Sequence, residues 1–387
     1  MVRLRLRVGT ISRLTTEYTA ASCCPFRARS VTRAFAILIS SSLSRAKSLG
    51  KDQLDYRRRQ RKTGWVNELV GIARLVAESP LIEAKREVEY FDLATRSFLA
   101  KCNSPRMPFR WTINPYRGCE FGCKYCYARY THEFMELRDG ADFEHKIYVK
   151  HFDAWRFKDE LRRLPQGEMI AIGTATDPYQ PAERRHRLTR AMWEQFAATA
   201  GFDLRLITKS DLVTRDIDLL REVARRHRLV ITLTITTLNR DLARLIEPLA
   251  PRPDLRVNAL RKLTAAGIRT TVNCAPILPL INDGEPSLDA VAQAAAGAGA
   301  KAIGGSVLFL KPCAKAVFMP FLEEHFPALV RRYAKRYGHA AYLRGAYPRI
   351  IQERLQRIRK RYGLDQREAP PEPELWPLDP QLTLFCE

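Results

Sequence analysis

From Trp111 onward, apolar runs of six to nine residues alternate with longer stretches in which apolar side chains recur every three or four positions. The runs MIAIGT (169–174), LRLITK (204–209), LVITLTI (229–235), TTVNCAPI (270–277) and AIGGSVLFL (302–310) predict strands. The stretches LTRAMWEQFAATA (188–200), DIDLLREVARRH (216–227), RVNALRKLTAAG (256–267) and LDAVAQAAAGAG (288–299) predict helices between them. Strands that are apolar throughout, rather than at every second position, are buried on both faces, as in a parallel sheet covered by helices. About six such units predict an α/β fold, either a full or partial (β/α) barrel or a doubly wound sheet. In a barrel the active site lies at the carboxyl ends of the strands, so the polar residues just after each strand are the first candidates for chemistry.

The rest of the chain divides by composition. Residues 1–62 form a basic extension, expected to be disordered, and residues 63–104 lead into a core spanning 105–312. Residues 313–362 read as a C-terminal helical segment and 363–387 as a flexible, Pro-rich tail. The first 50 residues are rich in Arg and Ser and hold one acid, Glu17, which is the composition of a mitochondrial transit peptide or of an upstream extension outside the fold. The cluster DYRRRQRK (55–62) is a solvated basic face or a phosphate contact.

Composition narrows the function. With 46% hydrophobic and 28% charged residues, the 387-residue chain has the apolar content of a folded protein. Its apolar runs are too short to span a bilayer, so a soluble, cytoplasmic protein without a membrane partner is expected. The net charge is +23, of which residues 1–62 carry +12, and this favours a polyanionic partner, most simply DNA. Arg184, Arg185 and Arg187 are candidate phosphate contacts.

The nine cysteines are odd in number, which argues against a secreted disulfide framework. Three of them, Cys119, Cys123 and Cys126, fall within the segment NPYRGCEFGCKYCYARYTHEF (114–134) with the spacing C-x3-C-x2-C. Three thiolates on one loop suit a soft metal or an iron–sulfur cluster, and three ligands on a four-iron cube leave one iron open. Gly118 and Gly122 let the loop wrap closely around an inorganic core. The rival is a closed zinc site completed by His132, in a cluster- or zinc-bearing nucleic-acid-binding protein without turnover.

This loop, its position ahead of a run of βα units, and the Tyr that follows it resemble the radical S-adenosylmethionine (SAM) superfamily, and within it the branch related to spore photoproduct lyase and labelled DNA repair photolyase-like. The resemblance spans roughly residues 85–330. It also rests on GTATDPYQPAERR, ITKSDLVTRDIDLL, TLTITTLN, EPLAPRPDLRVNALRKLTAAGI and APILPLIND. It implies a partial (β/α)6 TIM-like barrel and a [4Fe–4S] cluster held by Cys119, Cys123 and Cys126. It also implies SAM on the open iron and an external reductant such as flavodoxin or ferredoxin. The implied activity is cleavage of SAM to a 5′-deoxyadenosyl radical that abstracts hydrogen from a substrate.

The resemblance further implies that Thr176 and Asp177 meet the SAM amino group or ribose, that Lys209 pairs with its carboxylate, and that Thr234 and Thr236 lie near that carboxylate. Tyr127 matches a Tyr that assists hydrogen return in spore photoproduct lyase. That enzyme's hydrogen-donating Cys has no counterpart, because the matching loop reads Thr174-Ala175. A Thr O–H bond is far too strong to replace a thiol, so abstraction is expected and spore photoproduct repair is not. Cys274 and Cys313 are the other thiols near strand ends.

The tail ends in Gln381-Leu382-Thr383-Leu384-Phe385, which resembles the bacterial sliding-clamp-binding motif. Gln381 would satisfy a polar rim while Leu382, Leu384 and Phe385 enter an apolar groove; the alternative is that the tail folds back on the barrel.

Overall fold

The structure, a computed structural model, describes residues 69–377 apart from Arg86, Arg106, His339 and residues 367–369. The basic extension and the clamp-like pentapeptide therefore lie outside the described residues.

Among the described residues eleven strands run in order β1 (Leu81–Lys85), β2 (Val88–Leu93), β3 (Leu99–Lys101), β4 (Trp111–Ile113), β5 (Tyr116–Arg117) and β6 (Lys146–Lys150), then β7 (Met169–Ile172), β8 (Asp203–Thr208), β9 (Arg228–Thr234), β10 (Thr270–Asn273) and β11 (Ala302–Gly304). The larger sheet has the order β11-β10-β9-β8-β7-β4-β3. Within this sheet β4, β7, β8, β9, β10 and β11 all pair in parallel, which gives six parallel strands, and β3 adds an antiparallel edge. Helices Leu188–Ala197, Ile217–Arg226, Pro253–Ala265 and Glu285–Gly297 fill the crossovers. This is an open (β/α)6 barrel, and the doubly wound alternative falls.

The strand sequences explain the arrangement. Ile170, Ile172, Leu204, Leu206, Ile231, Leu233, Val272 and Ile303 are at most 1% exposed and form one core with Trp193, Phe196, Leu220, Leu260 and Leu288 from the helices. Removing such side chains from water on both faces of the sheet supplies about 1.5–3 kcal/mol each. Among the described residues no helix is long and apolar enough to cross a membrane.

Two strands, β10 and β11, end well short of the apolar runs that predict them. β10 stops at Asn273 ahead of Pro276 and Pro279, which have no N–H for a ladder, and β11 stops at the pair Gly304-Gly305. The two segments pair once more beyond these points, through a single parallel bridge between Ile277 and Val307. Ile277 donates its N–H to the Ser306 carbonyl at 2.8 Å, and Leu308 donates to the Ile277 carbonyl at 3.0 Å.

A second sheet, of order β1-β2-β6-β5, had no sequence signal because its strands are short and partly exposed. It matters for position: β5 ends two residues before Cys119 and pairs with β6, so this sheet aims the cysteine loop. Helices Pro312–His325 and Val330–Arg336 pack on the same loop in a core containing Phe121, Tyr125, Leu308, Phe318 and Tyr333.

Candidate active site

The loop carrying Cys119, Cys123 and Cys126 leaves the carboxyl end of β4. Gly118 opens it at φ +82°, and a Cβ there would lie 2.7 Å from the Lys146 carbonyl oxygen, so no other residue fits without displacing β6. The Cys119 N–H donates to the Phe143 carbonyl (2.8 Å) and the Lys124 N–H to the Ile246 carbonyl (3.0 Å). Arg129, 2% exposed, donates to the Cys123 carbonyl at 3.1 Å while Glu144 neutralises it at 2.8 Å. The backbone of the loop is thus held from several sides, and all three thiols are free of disulfides.

A residue that the sequence did not single out fastens the loop to the segment after β7. Gln180, fully buried, donates to the Gly118 carbonyl (3.1 Å) and to Thr176 Oγ1 (2.9 Å), and accepts the Glu120 N–H at 3.0 Å. Thr176 Oγ1 itself donates to the same Gly118 carbonyl at 2.6 Å. Glu120 returns the contact by accepting the Ala182 N–H (2.7 Å) and the Tyr90 hydroxyl (2.9 Å). Gln180 lies inside the quoted block GTATDPYQPAERR, but a Gln three residues after an Asp carries no chemical signature of its own.

Asp177 joins neighbouring strand ends. Its Oδ1 accepts from Thr208 Oγ1 (2.7 Å) and the Tyr179 N–H (2.9 Å), and its Oδ2 from the Lys209 N–H (2.7 Å). Those bonds tie the loop after β7 to the end of β8 and set the start of the Lys209 side chain. Among the described residues the Lys209 ammonium makes no ion pair or hydrogen bond; it lies 5.7 Å from the Tyr125 ring centroid. Burial opposes its charge, but Cys123, Glu247 and Cys126 outweigh that and hold its pKa above the ordinary lysine value.

Beneath Lys209 sits a buried ion pair that was also not foreseen. Glu247 and Arg256, each 1% exposed, approach to 2.5 Å. Glu247 Oε1 accepts the Tyr125 hydroxyl and, at 3.1 Å, the Thr236 hydroxyl. Arg256 donates to the Thr234 carbonyl at 3.1 Å and the Pro251 carbonyl at 2.7 Å. Thr234 and Thr236 therefore lie near the expected region, but the Thr236 hydroxyl and the Thr234 carbonyl serve this network.

The three thiols share one electrostatic environment. Burial pushes the Cys123 thiol up to about 12, with Lys209 and Arg256 countering it; burial also raises Cys119 and Cys126, countered at Cys126 by Arg129 and Lys209. Metal binding is what converts such thiols to thiolates. Among the described residues no three Cys, His, Asp or Glu side chains converge tightly enough for a single metal ion. The zinc alternative loses His132, which is 2% exposed, sits 3.3 Å from the Lys146 carbonyl through Nε2, and packs edge-on to Phe143.

Tyr127 donates its hydroxyl to the Thr174 carbonyl, in the loop that follows β7. Asn114 fixes that loop, donating to Thr174 Oγ1 (3.2 Å) and accepting the Ala175 N–H (2.8 Å). Cys274 is fully buried among Ile277, Val272 and other core side chains. Cys313 lies on the first turn of the helix Pro312–His325, beside Glu133. Of the candidate phosphate contacts, Arg184 and Arg187 are exposed, while Arg185 is paired with Glu83.

Comparison with known proteins agrees with this geometry. The family model for the Radical SAM superfamily matches residues 113–289. A protein of Mycobacterium tuberculosis, named only as uncharacterized, is 35% identical over 302 residues, covering 77% of this chain and 88% of that protein. An uncharacterized protein of Methanocaldococcus jannaschii is 31% identical over 176 residues, covering 46% of this chain and 63% of its own. Spore photoproduct lyase complexed with dinucleoside spore photoproduct aligns with a TM-score of 0.55 at 17% identity, over 81% of this chain and 92% of that one. A mutant of the lyase with bound AdoMet and the same dinucleoside aligns at 0.50 and 17% identity, over 70% and 79%. At these identities the likeness is one of fold.

The chain belongs to the radical SAM superfamily. It is a radical SAM enzyme, its cofactors are a [4Fe–4S] cluster and SAM, and it needs an electron donor.

Proposed function

We propose that Cys119, Cys123 and Cys126 hold the cluster and that Lys209 receives the SAM carboxylate, in an enzyme that abstracts hydrogen from a polyanionic, nucleic-acid substrate. The observation that carries this reading is the pairing of three disulfide-free thiols with a Lys209 ammonium that has no carboxylate partner among the described residues. A cation at a strand's catalytic end is costly to leave without an anion. A cluster held by Cys119, Cys123 and Cys126 would, when reduced, supply the electron for reductive cleavage of the sulfonium C–S bond of SAM.

The chain's own residues do the positioning. Gln180 and Thr176 hold Gly118, and so the arm bearing Cys119, against the segment after β7. Asp177 sets the backbone of Lys209. Glu247 and Arg256 keep a rigid, charge-balanced floor under it. Tyr127, whose hydroxyl rests on the Thr174 carbonyl, faces the position from which hydrogen would be returned. With Thr174-Ala175 at that position, the reading does not extend to spore photoproduct repair.

Two partners belong to the same reading. The net charge of +11 on residues 63–387 supports DNA, and the terminal Gln381-Leu382-Thr383-Leu384-Phe385 supports the bacterial sliding clamp, which would put the enzyme in the cytoplasm near replicated or repaired DNA. A peptide of residues 370–387 should bind purified clamp at about micromolar strength, as short groove-bound peptides do, and lose binding with Phe385→Ala.

The central test is anaerobic reconstitution followed by dithionite and SAM. Cluster absorbance and release of 5′-deoxyadenosine are expected. A protein that takes up no iron, or takes it up and leaves SAM intact, would refute the enzyme reading.

A further inference from the structure

At the barrel mouth, rings run outward from the cysteine loop in an unbroken row. Phe309, after β11, stacks on Tyr342 with centroids 4.1 Å apart and planes 17° apart, and lies 6.1 Å from Tyr127. Tyr127 is nearly parallel to Tyr130 (6.4 Å, 18°), and Tyr130 meets Phe134 edge-on at 5.7 Å. The Lys311 ammonium sits over the Tyr130 ring, 3.5 Å from its centroid. Tyr127, Tyr342 and Phe134 are 41%, 50% and 63% exposed. A contiguous row of large rings, three of them exposed and Tyr130 and Phe309 half-buried, marks an interaction site more often than idle surface. It is not loosely placed: the Leu310 N–H donates to the Ala341 carbonyl at 2.9 Å and pins the loop that carries Tyr342.

Charge selects the occupant. Residues 311–362 hold thirteen Lys and Arg against three Glu, a net +10, which is nearly all of the +11 on residues 63–387. Many of these cations are committed: Arg357 and Arg361 face Glu285 and Asp289, and Arg359 is buried. Arg331, Arg332, Lys335 and Arg344 are exposed and make no ion pair among the described residues. Helix Val330–Arg336 packs, through Tyr333, into the same core as Cys123 and Tyr125, so the charge borders the mouth.

An aromatic row alone would suit a peptide or an apolar ligand, and a basic surface alone would suit any polyanion. The two together fit a polymer that alternates phosphates with accessible flat bases. Duplex bases are stacked on one another, so their faces are not available; a single strand offers them.

We propose that Tyr127, Tyr130, Phe134, Phe309 and Tyr342, with Lys311 among them, form a stacking platform that lays single-stranded nucleic acid across the mouth of the barrel. The inference rests on the nucleic-acid reading above and adds where the polymer lies and in what form.

The experiment uses the full-length, cluster-loaded protein with fluorescein-labelled oligonucleotides: dT, rU, an abasic deoxy strand of equal length, and a dA·dT duplex. Wild type should bind dT in a salt-sensitive way, and more tightly than the abasic strand or the duplex. Tyr342→Ala and Phe134→Ala should each weaken dT binding about tenfold, in line with the loss of one base–aromatic stack, and leave abasic binding unmoved. Iron content and circular dichroism of each variant show that it has folded. Tighter binding of rU than dT supports the platform and makes RNA the occupant. If wild type binds dT and the abasic strand equally, or the two variants bind dT as wild type does, the platform is refuted while the nucleic-acid reading survives. If wild type binds none of the four at low salt, the nucleic-acid reading fails as well.

Discussion

Gln180 donates its side-chain amide to the Gly118 carbonyl across 3.1 Å, and the same side chain accepts the Glu120 N–H at 3.0 Å. Those two backbone groups flank Cys119. One buried Gln thus fixes the entry to the cysteine loop and couples it to the segment holding Thr176 and Asp177.

Gln180→Ala should loosen that arm. It leaves a buried carbonyl with one donor fewer and a buried N–H without its acceptor, at a cost of about 1–3 kcal/mol for an unsatisfied group. We expect a lower melting temperature and faster iron loss on desalting after reconstitution. Iron retention and melting equal to wild type would show that Thr176 alone suffices.

Cys123→Ala should abolish iron uptake and SAM cleavage with little effect on the apo fold. Arg129 holds the Cys123 backbone carbonyl, not the thiol, so the loop keeps its anchor. Iron analysis and far-ultraviolet circular dichroism check both halves. A variant with full iron and full cleavage would remove Cys123 from the ligand set.

Lys209→Met should raise the SAM concentration needed for half-maximal cleavage by about tenfold or more, the loss of one charge-assisted contact, and leave cluster absorbance in place. Unchanged SAM affinity would mean that Lys209 serves the local structure.

Glu247→Gln should be among the most destabilising single changes. It strands the Arg256 guanidinium, 1% exposed, without its counter-charge, at about 3–5 kcal/mol for a broken buried pair. Glu247→Gln combined with Arg256→Met should recover part of that loss in urea titration. A single variant as stable as wild type would mean that water reaches the pair.

His227 predicts a pH dependence. The imidazole is 1% exposed; Nδ1 accepts the Phe202 N–H at 3.1 Å and Nε2 lies 2.9 Å from the Phe196 carbonyl, so the neutral Nε2–H tautomer fits. Burial holds its pKa down at about 4, against 6.5 for an ordinary histidine. Between those values the unfolded chain binds the extra proton. The contribution is therefore complete above pH 6.5 and is lost as pH falls toward 4, by on the order of 3 kcal/mol. In His227→Asn, whose side-chain oxygen can still accept from Phe202, the fall in urea stability between pH 7 and 4.5 should be smaller than in wild type. Identical slopes would assign the dependence to other groups.

The sequence by itself determined the repeating architecture and the cysteine loop. Both are local signals. Doubly buried parallel strands must be apolar at every position, as MIAIGT and LVITLTI are, and cluster ligands on one loop must sit at short fixed spacing. The tertiary structure decided what surrounds them. Gln180 reaches Gly118 across 62 positions and Tyr125 reaches Glu247 across 122, and neither spacing follows a period that a sequence can display. The same holds for the small sheet under the loop, whose two-residue β5 is too short to show alternation, and for the aromatic row, whose members come from three separate segments. Hydrogen-bond partners and ring stacks depend on which strand ends the barrel brings together. That is fixed by the packing of apolar faces that the sequence shows one segment at a time.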